Sequence, residues 1–217
     1  MIIDLHLNEK SVIIVGAGNE ALKRIKLLAN EGCEIIVIGE KPIAEITKLS
    51  QKKKIRLKKI KITSTSFLKK YKPFLVIAST TDSVLNQKII QTAKKMKILA
   101  YASDSPDSSD ISYMSLIDIK KTIKVAISTS GSSPIMAKKI KSKAEKCLQK
   151  NISDQDIELI KIQKFARKES KKHILTQIER KKFLYELMND KRVKELLKDG
   201  KYKAIQTTIK KMVKDWK

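Results

Sequence analysis

Residues 11–18, Ser-Val-Ile-Ile-Val-Gly-Ala-Gly, leave the chain little freedom of architecture. Ser11 to Val15 is uncharged and, from Val12 on, entirely β-branched, which reads as a buried strand. Gly16-Ala17-Gly18 follows at once. Asn19 to Glu31 then sets Ala21, Leu22, Ile25, Leu28 and Ala29 at helical spacing, with Gly32 expected to end the helix. A buried strand, a tight glycine turn and an amphipathic helix in direct succession are the opening of a βαβ unit. Such units require a parallel sheet with helices packed over it.

The alternation continues. Glu34 to Ile38 and Phe74 to Ala78 predict buried strands, and Ile98 to Ala102 a fifth strand. Ile55 to Ile62 alternates apolar and basic residues, as a half-exposed strand does. Ile43 to Leu49 predicts a short helix and Asp82 to Met96 a longer one, capped by Asp82. The expected fold class is α/β, a Rossmann-like doubly wound parallel sheet over residues 1–110. Residues 111–150 read as a small α+β segment. Ile111 to Leu116 and Thr122 to Ile127 predict two strands joined around Asp118, and Ser132-Ser133-Pro134 opens a helix. A piece so small is expected to pack on another copy of itself as a dimerisation segment. After Pro134 there is no proline, and Gly200 is the only glycine, so residues 151–217 are expected to be helical. Helix starts are expected at Ser153 to Asp156 and at Thr176, with Glu179 three residues on, and a last helix at Tyr202 to Trp216.

The chain carries 48 Lys and Arg against 23 Asp and Glu, a net charge of +25. Lysine predominates and is dispersed, and aromatics are only 5%, whereas nucleic-acid sites concentrate arginine and aromatics. The excess reads first as a solvated lysine-rich surface, then as an attraction for a polyanionic substrate, and only third as a nucleic-acid-binding surface. No run approaches the roughly 20 apolar residues of a membrane span. Met1 to Lys10 lacks the pattern of a secretion signal. A cytoplasmic protein without membrane or nucleic-acid partners is expected. Cys33, Cys147, His6 and His173 are too scattered to suggest a metal site.

Four segments carry chemistry. Gly16-Ala17-Gly18-Asn19-Glu20-Ala21 is a G-x-G-x-x-A between a strand and a helix. There glycine lets the backbone approach a pyrophosphate, and the helix N-terminus offers free N–H groups to it. Gly16, Gly18, Asn19 and Glu20 are the candidate cofactor residues. Glu40, about 20 positions on, fits the acid that holds an adenosine ribose, favouring NAD over NADP, with Lys41 beside it. Asp104, after the fifth strand, either faces the cofactor crevice or opens an Asx turn before Pro106. Ser128 to Pro134 makes either an anion nest or a helix-capping loop.

In this order the segments resemble the precorrin-2 dehydrogenase and sirohydrochlorin ferrochelatase family, found alone or as the N-terminal part of bacterial siroheme synthase. Val15 to Arg24 lies in register with the family's V-G-G-G-x-V-A-x-R-K, and Ser79 to Asn86 resembles A-T-D-D-x-x-L-N. Ala100 to Pro106 is similar to V-N-V-V-D-x-P. Ala126 to Ala137 matches A-[IV]-S-[ST]-x-G-x-S-P-x-x-A. The resemblance covers roughly residues 1–147. It implies NAD-dependent oxidation of precorrin-2 to sirohydrochlorin in siroheme biosynthesis, with iron insertion added in some members. It places NAD at the glycine turn with Thr80 among its contacts, and makes Asp104 the catalytic residue. It puts Ser128 and Ser130 beside the tetrapyrrole, and implies a homodimer through about 111–147. No counterpart of the fused enzymes' methyltransferase domain is expected among these residues, so precorrin-2 is expected to come from another polypeptide. Two other classes stand beside this reading. One is a non-catalytic NAD(H)-responsive binding protein, favoured by Glu20 and Tyr101. The other is a basic nucleic-acid-binding protein.

Overall fold

In the computed structural model, which describes residues 2–216, the β-branched runs are the middle of a parallel sheet. Met1 and Lys217, the outer ends of the expected first and last domains, lie outside the described residues. Strands β1 (Ser11–Val15), β2 (Glu34–Ile38), β3 (Arg56–Lys58), β4 (Leu75–Ala78) and β5 (Leu99–Ala102) alternate with helices α1 (Asn19–Leu28), α2 (Ala44–Gln51), α3 (Ser66–Tyr71) and α4 (Ser83–Lys95). The strand order is β3-β2-β1-β4-β5 and every pairing is parallel. Alternate residues of β1 face opposite ways, and both ways lie apolar layers. Val12 and Ile14 join Ala21, Ile25 and Ile46 on one side. Ile13 and Val15 join Leu68, Ile89 and Ile90 on the other. A strand with helices on both faces has no solvated side, hence its unbroken apolar run.

The differences from expectation have local causes. α1 ends at Leu28, and Gly32 lies beyond it at φ +69°, turning the chain back so closely that a Cβ there would meet the Asn8 side chain at 2.4 Å. β3 shrinks to three residues, because Lys58, Lys59 and Lys61 leave little to bury at the sheet edge. α3, which the sequence reading missed, is one short helix ended by Lys72 in the left-handed conformation.

This unit ends at Tyr113, and Met114 opens a second one. It begins with an antiparallel hairpin, β6 (Ser115–Ile119) and β7 (Ile123–Ile127). The turn falls at Lys120-Lys121, both with positive φ, where the Asp118 carboxylate accepts from the Lys121 N–H. The expected start at Ile111 is too early, since Ile111 packs on the core of the first unit. Helices α5 (Pro134–Asn151), α6 (Asp154–His173), α7 (Gln177–Asn189), α8 (Lys191–Lys198) and α9 (Tyr202–Lys214) follow. Ser133 caps α5, Ser153 and Asp156 form a reciprocal capping box on α6, and Thr176 accepts from the Glu179 N–H on α7. The break between α7 and α8, not expected from the sequence, is made by Asp190, which accepts from the Val193 N–H.

Phe183 is fully buried among Ile162, Ala166, Ile205 and Ile209, and packs edge-on against Trp216 at 5.2 Å. Trp216 is the only tryptophan, so its fluorescence reports on this helical core. Phe183→Ala is expected to destabilise that core by about 3–5 kcal/mol, from lost burial and the cavity left behind. Denaturant unfolding followed by tryptophan emission measures it, and a change below about 1 kcal/mol contradicts this packing.

Candidate active site

The site grows from the way the first turn is squeezed. Gly16 sits at φ +113°, and its N–H donates to the Ile38 carbonyl at 2.8 Å. A Cβ on Gly16 would lie 2.5 Å from the Ser79 carbonyl oxygen. Ser79 in turn donates to the Val15 carbonyl through both its N–H (2.8 Å) and its hydroxyl (3.0 Å). The ends of β1, β2 and β4 are thus drawn together around a residue without a side chain. Ala17 packs against Gly39, whose own Cβ would lie 2.7 Å from the Ala17 methyl. That contact brings the end of β2 against the turn, and with it Glu40 and Lys41, both exposed just past that strand.

Gly18 is the N-cap of α1 and makes no side-chain capping bond. A Cβ there would meet nothing within 4 Å. The first intrahelical bond is Leu22 N–H to the Gly18 carbonyl, so the N–H groups of Asn19, Glu20 and Ala21 have no acceptor within the helix. Free donors on a positive helix end, with open space over the glycine, fit the diphosphate of a dinucleotide. Asn19 is exposed. Glu20 is half-buried and turned along the helix, where it accepts from Lys23 Nζ at 2.6 Å and lies 3.6 Å from Arg24 Nη2. The hydrogen bond from Lys23 and the two cationic charges hold its carboxyl below the ordinary range. Its charge is answered within its own helix. Arg24 also donates to the Tyr101 hydroxyl at 2.9 Å and stacks on the Tyr101 and Tyr113 rings. Glu20 and Tyr101, the two residues that favoured a non-catalytic binder, therefore belong to one structural cluster on the flank of α1.

The sheet order reverses between β1 and β4, and in doubly wound sheets the ligand crevice opens at that point beyond the carboxyl ends of the strands. Val15, Ala78 and Ala102 are aligned across β1, β4 and β5. The residues that follow them therefore share one rim, with Gly16 and Ser103 two strand spacings apart, about 10 Å. Ser103 Oγ is buried there without a hydrogen-bond partner among the described residues. Asp104 comes next, exposed at the rim. Its Oδ2 accepts from Asn86 Nδ2 at 3.0 Å. The Asx-turn alternative does not describe it, because Pro106 has no N–H to offer. The following segment is fixed instead to the outer edge of β5, where the Asp110 carboxylate accepts from Ala100 N–H and the Ser109 hydroxyl from Ala102 N–H.

Thr80 lies in the loop after β4, its hydroxyl 2.7 Å from Asn86 Oδ1. Asn86 is only 1% exposed and stands on the same face of α4 as Ile89, Ile90 and Ala93. It closes the Ser79–Asn86 motif, but the sequence alone assigns it no role. The available signal was an amide on an otherwise apolar helical stripe. Ser128 and Ser130 lie in the second unit, in the loop between β7 and α5. Ser128 Oγ accepts from the Ser130 N–H at 3.0 Å, and Ser130 takes a left-handed φ of +51°. The Thr129 hydroxyl pairs with Ser133 in the same loop, so the segment both caps α5 and leaves exposed hydroxyls.

A family profile described as NAD(P)-binding matches residues 3–115. The siroheme synthase of Buchnera aphidicola is 30% identical over 210 residues, covering 96% of this chain and 42% of that protein. The chain thus spans well under half the length of that relative. The precorrin-2 dehydrogenase of Bacillus subtilis is 28% identical over 144 residues, covering 66% of this chain and 86% of that one. The solved structure of SirC, a precorrin-2 dehydrogenase, superposes with a TM-score of 0.69 at 23% identity, each chain covered in full, and so shares the fold.

Gly18 separates binding from folding. Gly18→Ala has ordinary backbone angles and empty space, so the loss of stability is expected to stay at about 1 kcal/mol, that of a poorer N-cap. It does fill the space over the helix end, and NAD affinity by calorimetry is expected to fall at least about tenfold. Unchanged affinity in a folded Gly18→Ala variant contradicts the placement.

Proposed function

Because the chain belongs to the NAD(P)-binding family, we propose that it is an NAD-dependent dehydrogenase that oxidises precorrin-2 to sirohydrochlorin in siroheme biosynthesis. One observation carries the reading: a carboxylate, Asp104, stands on the same sheet rim as the open glycine turn and is gripped by a buried amide. The names of the relatives point to the same chemistry.

In this reading the backbone of residues 16–20 holds the pyrophosphate and Glu40 accepts from the adenosine ribose hydroxyls. The charge of Glu40 disfavours a 2′-phosphate, so NAD is preferred to NADP. Thr80 borders the crevice beside them. A bound nicotinamide supplies the two-electron acceptor. Oxidising the macrocycle removes one hydride and one proton, and Asp104 accepts the proton through Oδ1, the oxygen that Asn86 does not engage. The exposed hydroxyls of Ser128 and Ser130 bind carboxylates of the macrocycle. That substrate is a polycarboxylate, and a chain of net charge +25 attracts it from solution.

The proposal includes a homodimer formed through residues 111–150. In support, α5 buries only Ala137 along its length, while Leu116, Ile135, Met136 and Ile140 are exposed, Ile135 at 79%. An apolar patch of this kind marks an association surface. Both cysteines are unpaired, which suits a reducing, cytoplasmic setting. Among the described residues no helix is long and apolar enough to cross a membrane.

The test is anaerobic. Protein, NAD and freshly made precorrin-2 are mixed and the absorption spectra of NADH and sirohydrochlorin are followed, with equal amounts of the two expected to form. Asp104→Ala is expected to bind NAD normally and to lose at least about a hundredfold in turnover. Full activity in that variant removes the assigned role. Light scattering is expected to give twice the 24.7 kDa chain mass, falling to the single mass in Ile140→Glu. A single-chain mass for the unaltered protein overturns the dimer.

A further inference from the structure

We propose that Asn86 is a positioning residue that aims the Asp104 carboxylate and locks it to the cofactor-side loop, an inference that rests on the reading of Asp104 as proton acceptor. Asn86 uses its whole hydrogen-bonding capacity. Oδ1 accepts from the Thr80 N–H at 3.3 Å and the Thr80 hydroxyl at 2.7 Å. Nδ2 donates one hydrogen to the Thr80 carbonyl at 3.1 Å and the other to Asp104 Oδ2 at 3.0 Å. This pattern admits one orientation of the amide. Reversed, it would set N–H against N–H at Thr80 and oxygen against oxygen at both the Thr80 carbonyl and the carboxylate.

Three of these bonds pair a buried amide with a half-buried loop, and folding alone explains them. The fourth has no such need. Asp104 is exposed, and water could solvate its carboxylate as well as an amide does. What the amide adds is direction. It projects from the first turn of α4, where Asn86 N–H is bonded to the Asp82 carbonyl and Asp82 caps the helix. Its rotamer is thus set by a helix, whereas Asp104 sits on a connecting loop. With Oδ2 engaged, no other hydrogen bond among the described residues reaches Oδ1, and that oxygen is the one left to take a proton. One side chain therefore joins Thr80, a cofactor-side residue, to the proton acceptor, so that the two keep a fixed relation. Small displacements of a reacting group lose large factors in rate, so such a brace acts on the chemical step.

Asn86→Asp isolates the donor side. It keeps the shape and the acceptor facing Thr80, and replaces the N–H facing Asp104 by oxygen. The expected result, by stopped-flow and steady-state kinetics with NAD and precorrin-2, is a kcat lower by about 10- to 100-fold. NAD affinity and the KM for precorrin-2 are expected to stay within about threefold. Asn86→Ala, which deletes the donor without adding a charge, is expected to lower kcat in the same way, and serves if the first variant does not fold. A kcat within twofold of the unaltered enzyme overturns the proposal. So does a fall in kcat matched by an equal loss of NAD affinity, which marks mere support of the loop, and so does failure of both variants to fold. Asp104→Ala in the same assay separates the two readings. If it retains full turnover, the role of Asp104 fails. If it is inactive while both Asn86 variants are not impaired, only the positioning role fails.

Discussion

The structure of the first unit turns on one close approach, that of Gly16 to the Ser79 carbonyl. With 2.5 Å between that oxygen and the place a Cβ would occupy, no other residue fits without moving the end of β4. The same glycine is bonded to the end of β2. Three strand ends therefore meet at a point occupied only by backbone. A second close contact, Ala17 against Gly39, seals the side toward β2. What remains open is the N-terminus of α1, whose unpaired N–H groups stand over the switch in strand order.

Charge does less to build this site than the composition suggests. The lysine excess is spread over exposed positions, and the ion pairs of the chain are mostly surface pairs of little energetic weight. The rim is assembled from backbone N–H groups, one buried amide and one carboxylate. The amide carries the greater risk to stability, since a buried polar group left unsatisfied is costly, and Asn86 avoids that cost by bonding at every position it has. Glu20, Lys23, Arg24, Tyr101 and Tyr113 form a separate cluster that keeps an acidic side chain on the helix after the glycine turn from standing unpaired.

How much of this was legible in the sequence depended on the burial of each element. β1 and β2 are identical to their expected ranges, because a strand covered on both faces is an unbroken β-branched run. β3 was overestimated because alternation of apolar and basic residues continues past the last paired residue. α3 was missed because six residues ending in two lysines and a tyrosine give too short a period to register. The helix starts at Ser133, Ser153 and Thr176 were visible as caps, while the break at Asp190 was hidden within a continuous charged pattern. In the site, the glycine turn announces itself through residue type and spacing. Asn86 does not, because its partners Thr80 and Asp104 come together only when β4, α4 and β5 are assembled.

The proposed chemistry depends on where a dinucleotide rests. The direct measurement is a crystal structure of the protein with NAD. The pyrophosphate is expected within hydrogen-bonding distance of the amides of residues 18–20, the adenosine ribose at Glu40, and the nicotinamide on the side of the crevice nearer Asp104. A dinucleotide bound elsewhere, or one whose nicotinamide end points away from β5, would contradict it.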